Sequence, residues 1–211
     1  MLSETPTPDL KEINAQIARC RLCKLGEHAR PVPGEGNPRA SIMLVGEAPG
    51  FYEDQQGRPF VGPAGQFLDE LLKAAGYSRK DVYITNVVKH RPPGNRDPEP
   101  DELEACDGFL RAQISAIQPR VIVTLGRYSL AKFIPNVRSM REVHGRAFPY
   151  EGLLVCAMYH PAVALHQGSL RGVIEQDFRA LPAMVAQAEQ RASPSTAPSP
   201  TAPAPEQMAL W

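Results

Sequence analysis

The sequence predicts an α/β protein built on a parallel sheet covered by helices on both faces. Three observations lead there. Four short apolar segments, at 41–49, 81–89, 120–127 and 152–162, have the length and composition of buried strands. Segments of helical period alternate with them, which is the pattern of a parallel sheet. The chain has 211 residues, 43% apolar and 22% charged, enough for one such domain with its core.

Taken in order, SIMLVGEAP (41–49) is an apolar run that stops at a Gly-rich turn. GPAGQFLDELLKAAGY (62–77) places Phe67, Leu68, Leu71, Leu72 and Ala75 on one face and then meets Gly76, a helix and its stop. DVYITNVVK (81–89) is β-branched and forms the second strand. PDELEACDGFLRAQISAI (100–117) opens with Pro and two acids, which suit a helix N-terminus. RVIVTLGR (120–127) is a third strand running into Gly126, and GLLVCAMYHPA (152–162) a fourth that ends at His160-Pro161. The last helical pattern, 168–190, carries an expected interruption at Pro182. Ligand sites in such folds lie beyond the carboxyl ends of the strands. GEAPG (46–50), Asn86 and His160 all fall there.

Charge and composition narrow the classes. Lys+Arg and Asp+Glu both number 23, so the chain does not coat nucleic acid by bulk electrostatics, although it can still read a few phosphates. No apolar run approaches twenty residues, and MLSETPTPDLKE at the N-terminus is polar and acidic, without the marks of a secretory leader. A cytoplasmic protein is expected. Residues 192–205 contain only Ala, Ser, Thr and Pro and cannot form a core. The organisation is therefore a globular domain over 1–190, a disordered linker over 191–206, and a terminal peptide, 207–211.

Four cysteines in a chain without a leader point to metal, redox chemistry or burial rather than a disulfide scaffold. Cys20 and Cys23 form a C-x-x-C pair; with Cys106 as a candidate third ligand and His90 as a candidate fourth, the chain can supply four ligands to zinc or an iron–sulfur cluster. Composition alone does not separate the two. Cys156, inside an apolar strand, reads as an ordinary buried thiol. The stretch from GEAPG to Gly65 is dense in Gly and Pro, so its backbone can approach a ligand closely, with a carboxylate and an aromatic ring at the rim. A plain strand-to-helix connection accounts for the glycines alone. Glu47 tips the balance, because an acid directly ending a buried strand is costly unless it is used.

The segments GEAPG (46–50), EDQQGRPFVGPAG (53–65), YITNVVKHRPPGNRDP (83–98), TLGR (124–127) and YHPA (159–162) occur together with the cysteine pattern. In that order they resemble the iron–sulfur, family 4 uracil-DNA glycosylases over about residues 16–180. The resemblance implies a three-layer α/β/α fold around a central four-stranded parallel sheet. It implies excision of uracil from DNA by hydrolysis of the N-glycosidic bond, the start of base excision repair. It also implies a [4Fe–4S] cluster in preference to zinc, on Cys20, Cys23, His90 and Cys106; the family usually has Cys where this chain has His90.

That chemistry requires the base to be flipped into a pocket. On the resemblance, Phe60 is the stacking platform and Asn86 matches uracil O4 and N3–H, where cytosine presents the opposite pattern. His160 donates to uracil O2 as negative charge develops. Glu47 activates water or stabilises the cationic sugar, and the backbone of Glu47 and Ala48 contacts the base. Arg91 and Arg96, with Asn95, are placed against the DNA backbone. Leu165, His166, Leu170 and Arg171 are expected to supply a wedge and phosphate contacts. A sister group cross-links covalently to uracil-DNA through a histidine in a basic insert; residues 91–98 carry neither, so turnover is expected. The alternative of a non-catalytic metal-bearing DNA-binding module leaves Glu47, Phe60, Asn86 and His160 without a purpose. Gln207, Met208, Leu210 and Trp211 resemble the peptide that docks repair proteins on the bacterial sliding clamp, the linker giving reach. The expected partners are thus uracil-containing DNA and the clamp, the expected state a monomer, and the expected location the cytoplasm at the nucleoid.

Overall fold

In the computed structural model, which describes residues 9–192, helix α1 (Leu10–Ala18), the short helix α2 (Leu25–His28) and strand β1 (Glu35–Gly36) come first. Strand β2 (Ile42–Gly46) leads through α3 (Phe51–Gln56) into α4 (Pro63–Ala74). Strand β3 (Tyr83–Asn86) is followed by a 3-10 turn (Pro93–Asn95) and α5 (Pro100–Ile117), and β4 (Val121–Leu125) by α6 (Arg127–Phe133) and α7 (Met140–Val143). A hairpin of β5 (Arg146–Tyr150) and β6 (Leu153–Met158) ends in α8 (Ala162–His166), a second 3-10 turn (Gly168–Leu170) and α9 (Arg171–Ala192).

The sheet order is β1-β3-β2-β4-β6-β5. The four central strands are mutually parallel, and these are the four segments read from the sequence. The sheet nevertheless has six strands, because β1 adds antiparallel to β3 and β5 antiparallel to β6. Both additions are edge strands, and their sequences hide them. β1 is two residues long, and β5 (RAFPY) contains Pro149, which a sheet tolerates at its edge and not in its centre.

Every residue of β2, β3 and β4 is buried, as a sheet covered on both faces requires. Alternation along β2 sorts the two cores: Ile42 and Leu44 pack with Leu68, Leu71, Phe178 and Leu181 of α4 and α9. Met43 and Val45 pack on the other face with Leu110, Ile117, Leu130 and Phe133 of α5 and α6. The three-layer α/β/α arrangement follows.

Helix ends obey their chemistry. Past α4, Gly76 sits at φ +82°, and the N–H groups of Gly76 and Tyr77 close on the carbonyls of Lys73 and Leu72. Helix α9 corrects one expectation, since it runs through Pro182 without interruption. Pro182 lacks the N–H that would bond the Phe178 carbonyl. Ile174, Phe178, Leu181, Val185 and Ala188 form a buried stripe spanning that point, which outweighs one missing hydrogen bond. The helix also takes in residues 191 and 192, assigned by composition to the linker. The remainder of the linker and the peptide 207–211 lie outside the described residues. Among the described residues, no helix is long and apolar enough to cross a membrane.

Candidate active site

A cleft of about 480 Å³ opens at the carboxyl ends of β2, β3 and β6, and Glu47, Ala48, Phe60, Asn86 and His160 all line it. Asn86 is the last residue of β3, level with Gly46 on β2. Its side chain is 1% exposed, and its Oδ1 is buried without a hydrogen-bond partner. A buried amide oxygen left unpaired is costly, so the site is built for a donor that arrives with the ligand. Gly46 makes the arrangement possible. A Cβ there would sit 2.3 Å from Asn86 Oδ1 and 2.7 Å from Phe60 Cζ, so the amide and the ring share space that a side chain would fill.

Phe60 is buried to 6% exposure and adopts φ +53°, a left-handed conformation that non-glycine residues rarely hold. Two charged side chains hold its loop. Glu53 accepts backbone N–H groups from Gly50 (3.1 Å), Val61 (2.8 Å) and Gly62 (3.0 Å). Arg79 works from the other side. Its Nη2 donates to the Pro59 carbonyl (2.6 Å) and to Glu35 Oε1 (2.7 Å), its Nη1 to the Phe60 carbonyl (3.0 Å) and Asp69 (3.0 Å), and its Nε to Glu35 (3.0 Å). All five guanidinium N–H groups are thereby used. Gly65 leaves room for the Phe60 carbonyl, which a Cβ at that position would meet at 1.8 Å. Sequence reasoning missed Arg79 and Glu35. Arg79 stands in an ordinary polar turn, Ser78-Arg79-Lys80-Asp81, and nothing local marks it.

His160 follows β6, with its ring centroid 5.5 Å from that of Phe60. Its Nδ1 accepts the N–H of Ala162 at 3.1 Å, which places the proton of the neutral ring on Nε2. Burial pushes its pKa down to about 4, only partly offset by Glu53, so the imidazole is neutral near pH 7. Glu47, just past β2, is displaced oppositely: burial, with Asp97 adding and Arg127 opposing, raises its pKa to about 7. The cleft thus holds a flat apolar ring, an amide with a free acceptor, a neutral N–H donor and an ionisable carboxylate.

The residues expected to touch DNA separate into two groups. Arg96, Leu165 and His166 line the cleft with Asn95. Arg91 lies beside it, donating to Asn95 Oδ1 (2.7 Å) with its guanidinium 5.2 Å above the Phe51 ring. Leu170 instead packs against the core, and Arg171 is engaged with Glu70 (2.5 Å), Glu175 (3.1 Å) and the Phe67 ring (4.3 Å). The structure does not bring these two into the cleft.

Cys20 and Cys23 lie between α1 and α2, Cys106 in the second turn of α5, and all are free thiols. Cys23 and Cys106 pack together with Leu25 and Val88, and the buried Cys106 thiol, raised in pKa by burial, accepts the Lys89 N–H at 3.4 Å. His90 is fully buried, and neither ring nitrogen has a partner. Among the described residues, no three His, Cys, Asp or Glu side chains are gathered so as to hold a single metal ion. Lys89, fully buried, donates to the Asn86 carbonyl (2.7 Å), Thr85 (2.8 Å) and Gln113 (2.7 Å), tying the end of β3 to α5. Cys156 is wholly buried and its thiol pKa is pushed up to about 12, which suits an inert core residue.

A parallel sheet whose carboxyl end carries this set can receive one flat ligand with hydrogen-bonding edges. Residues 33–181 match the model of the uracil DNA glycosylase superfamily. The chain is 46% identical over 180 residues to a type-4 uracil-DNA glycosylase of Sulfurisphaera tokodaii, covering 81% of this chain and 82% of that protein. To the type-4 enzyme of Archaeoglobus fulgidus it is also 46% identical over 180 residues, with 81% and 90% covered. A type-5 uracil-DNA glycosylase of Thermus thermophilus is 38% identical over 152 residues, covering 63% and 69%. The chain belongs to the uracil DNA glycosylase superfamily, among its type-4 members.

Proposed function

We propose that the protein excises uracil from DNA by hydrolysing the bond between the base and deoxyribose, the opening step of base excision repair. The observation that carries this reading is the orphaned Asn86 Oδ1 beside the Phe60 ring, in a cleft also lined by His160, whose proton sits on Nε2. A flipped uracil stacks on Phe60, gives its N3–H to Asn86 Oδ1 and receives the Asn86 amide N–H at O4. Cytosine has no N3–H and presents an amino group in place of O4, so it leaves the amide mismatched. As the bond from C1′ to N1 stretches, its electron pair moves onto the base and charge builds on O2, where the neutral His160 donates. Water adds to C1′ and loses its proton, and the uracil anion is later protonated by solvent. Glu47 serves this step only when ionised, whether as acceptor of the water proton or as counter-charge to the sugar.

Release of free uracil from a uracil-containing oligonucleotide tests the reading. The His160→Ala variant is expected to lose about 10²- to 10³-fold in rate. Undiminished release by both His160→Ala and Glu47→Gln would refute the assignment.

We also propose that Cys20, Cys23, His90 and Cys106 bind a [4Fe–4S] cluster. Two partnerless nitrogens on a buried imidazole, and thiols from two chain segments converging on one apolar cluster, support that donor set. A cluster has four irons and can take one donor at each, whereas a single zinc ion needs all four around one centre. Once bound, it would cross-link residues 20–23 to the end of β3 and to α5. For the tail, outside the described residues, we propose docking on the sliding clamp while the domain works as a monomer on chromosomal DNA. Deleting 207–211 should abolish clamp binding and spare excision on short oligonucleotides; unchanged clamp affinity would overturn that role.

A further inference from the structure

The described residues expose four large apolar side chains conspicuously: Leu22 at 67%, Phe51 and Tyr52 at 50% each, and Leu165 at 47%. Three of them, Phe51, Tyr52 and Leu165, line the cleft that holds Asn86 and His160. Exposed apolar surface is thus concentrated at the mouth of one site. The mechanism above uses neither Phe51 nor Tyr52, because the base stacks deeper, on the buried Phe60.

The two rings are also held in place. They meet edge to face, with centroids 5.5 Å apart and planes at 82°. Tyr52 lies against Gly62, where an added Cβ would come within 2.8 Å of its ring. The Arg91 guanidinium stands 5.2 Å over Phe51. A fixed aromatic pair with a cation beside it, at the lip of a base-receiving pocket, has the composition of a surface that binds single-stranded nucleic acid. Such surfaces combine ring stacking with basic groups for the backbone.

We propose that Phe51 and Tyr52 form a second base site, which stacks the nucleotide adjacent to the flipped uracil in the same strand. The proposal rests on the uracil-excision reading and adds its strand preference. In a single strand the neighbour loses a stacking partner when uracil enters the pocket, and the aromatic pair replaces it. In a duplex the neighbour stays paired and stacked, so the site contributes less. The chemical class recognised is any nucleobase, because every base has a π-face, and Arg91 serves the phosphate beside it.

The experiment is a cycle across protein and DNA. Excision is measured under subsaturating single-turnover conditions for the wild type and for Phe51→Ala/Tyr52→Ala. The substrates are single-stranded oligonucleotides whose 5′ or 3′ neighbour of uracil is either a base or an abasic spacer. The wild type should prefer the base-bearing neighbour on one side by about tenfold, which is about 1.4 kcal/mol and within the range for stacking one base. The double variant should show a ratio near one on that side, and the wild-type ratio should shrink when the same oligonucleotide is annealed to its complement. The proposal is overturned if the wild type is indifferent to the spacer on both sides, or if the variant discriminates as strongly as the wild type. Those results leave uracil release itself intact, whereas a wild type that frees no uracil from any substrate fails the excision reading instead.

Discussion

Replacing Arg79 by Met removes a guanidinium whose five donors tie Glu35, Asp69 and the carbonyls of Pro59 and Phe60 into one knot. Glu35 keeps Arg58, at 2.7 and 3.2 Å, so it is not stranded. The two carbonyls have no such substitute. Each charge-assisted bond contributes about 1.5–3 kcal/mol, and the left-handed backbone of Phe60 stores about 1–3 kcal/mol that those bonds help to hold. The expected loss of stability is about 3 kcal/mol, read as a lower urea midpoint with an unchanged slope. Relaxation of Phe60 away from φ +53° displaces its ring. A misplacement of about 1 Å at a reacting site costs on the order of 10²-fold, so single-turnover excision should fall by about that factor in conditions where the variant is folded. Arg79→Lys should recover little of it, since an ammonium with three donors cannot span four acceptor groups. A double-mutant cycle separates positioning from general damage. If Arg79 acts through the ring, its replacement costs almost nothing further once Phe60→Ala has been made. Equal penalties in both backgrounds would refute the coupling.

Excision should follow the ionisation of Glu47, rising about tenfold per pH unit up to a midpoint near 7 and levelling above it. His160 stays neutral down to about pH 4 and adds no second limb between pH 5 and 9. Asp97→Asn should move the midpoint down, because a negative charge facing Glu47 is removed; a profile flat from pH 5 to 9 would contradict the role of Glu47. The same shift has a stability consequence. A carboxyl whose folded pKa is raised favours its protonated form in the folded state, so its contribution is present below about pH 4.5 and lost as pH rises through 7. Glu47→Gln should therefore stabilise the protein more at pH 8 than at pH 5, by urea denaturation. For the metal site, purified protein should contain iron and acid-labile sulfide and absorb in the visible. His90→Ala should lower the iron content and alter the electron paramagnetic resonance signal of the reduced protein, and a folded, active protein without iron would defeat the cluster.

The central sheet was legible because each parallel strand is a continuous apolar run, and its burial on both faces is written in every residue of it. Asn86, His160 and Glu47 were legible for a related reason. A polar group that directly ends a buried strand has an address in space as well as in sequence. The edge strands were not legible, since two residues in one case and an Arg- and Pro-containing segment in the other carry little of the strand signal. Pro182 is misleading because its local breaking propensity is outweighed by the stripe from Ile174 to Ala188, which packs on α4 and on β6, both distant in the chain.

Arg79 shows where the limit lies. Glu47, Asn86 and His160 each follow a strand whose course the apolar pattern reveals, so their convergence can be anticipated from topology alone. Arg79 reaches the Phe60 carbonyl across 19 residues, a main-chain acceptor that carries no side-chain signature, and the Glu35 carboxylate across 44. Its partners are specified by the path of a loop, and the path of that loop depends in turn on Gly65 yielding space and on Glu53 gathering three N–H groups. The Phe60 ring, the proposed base platform, is therefore aligned by residues that never touch it with their own apolar surface. Reading such a site from composition recovers the groups that meet the substrate and omits the groups that make them rigid. Rigidity is also what the proposed chemistry requires: on that reading, Asn86 discriminates uracil from cytosine only if the ring beside it holds the base in one register.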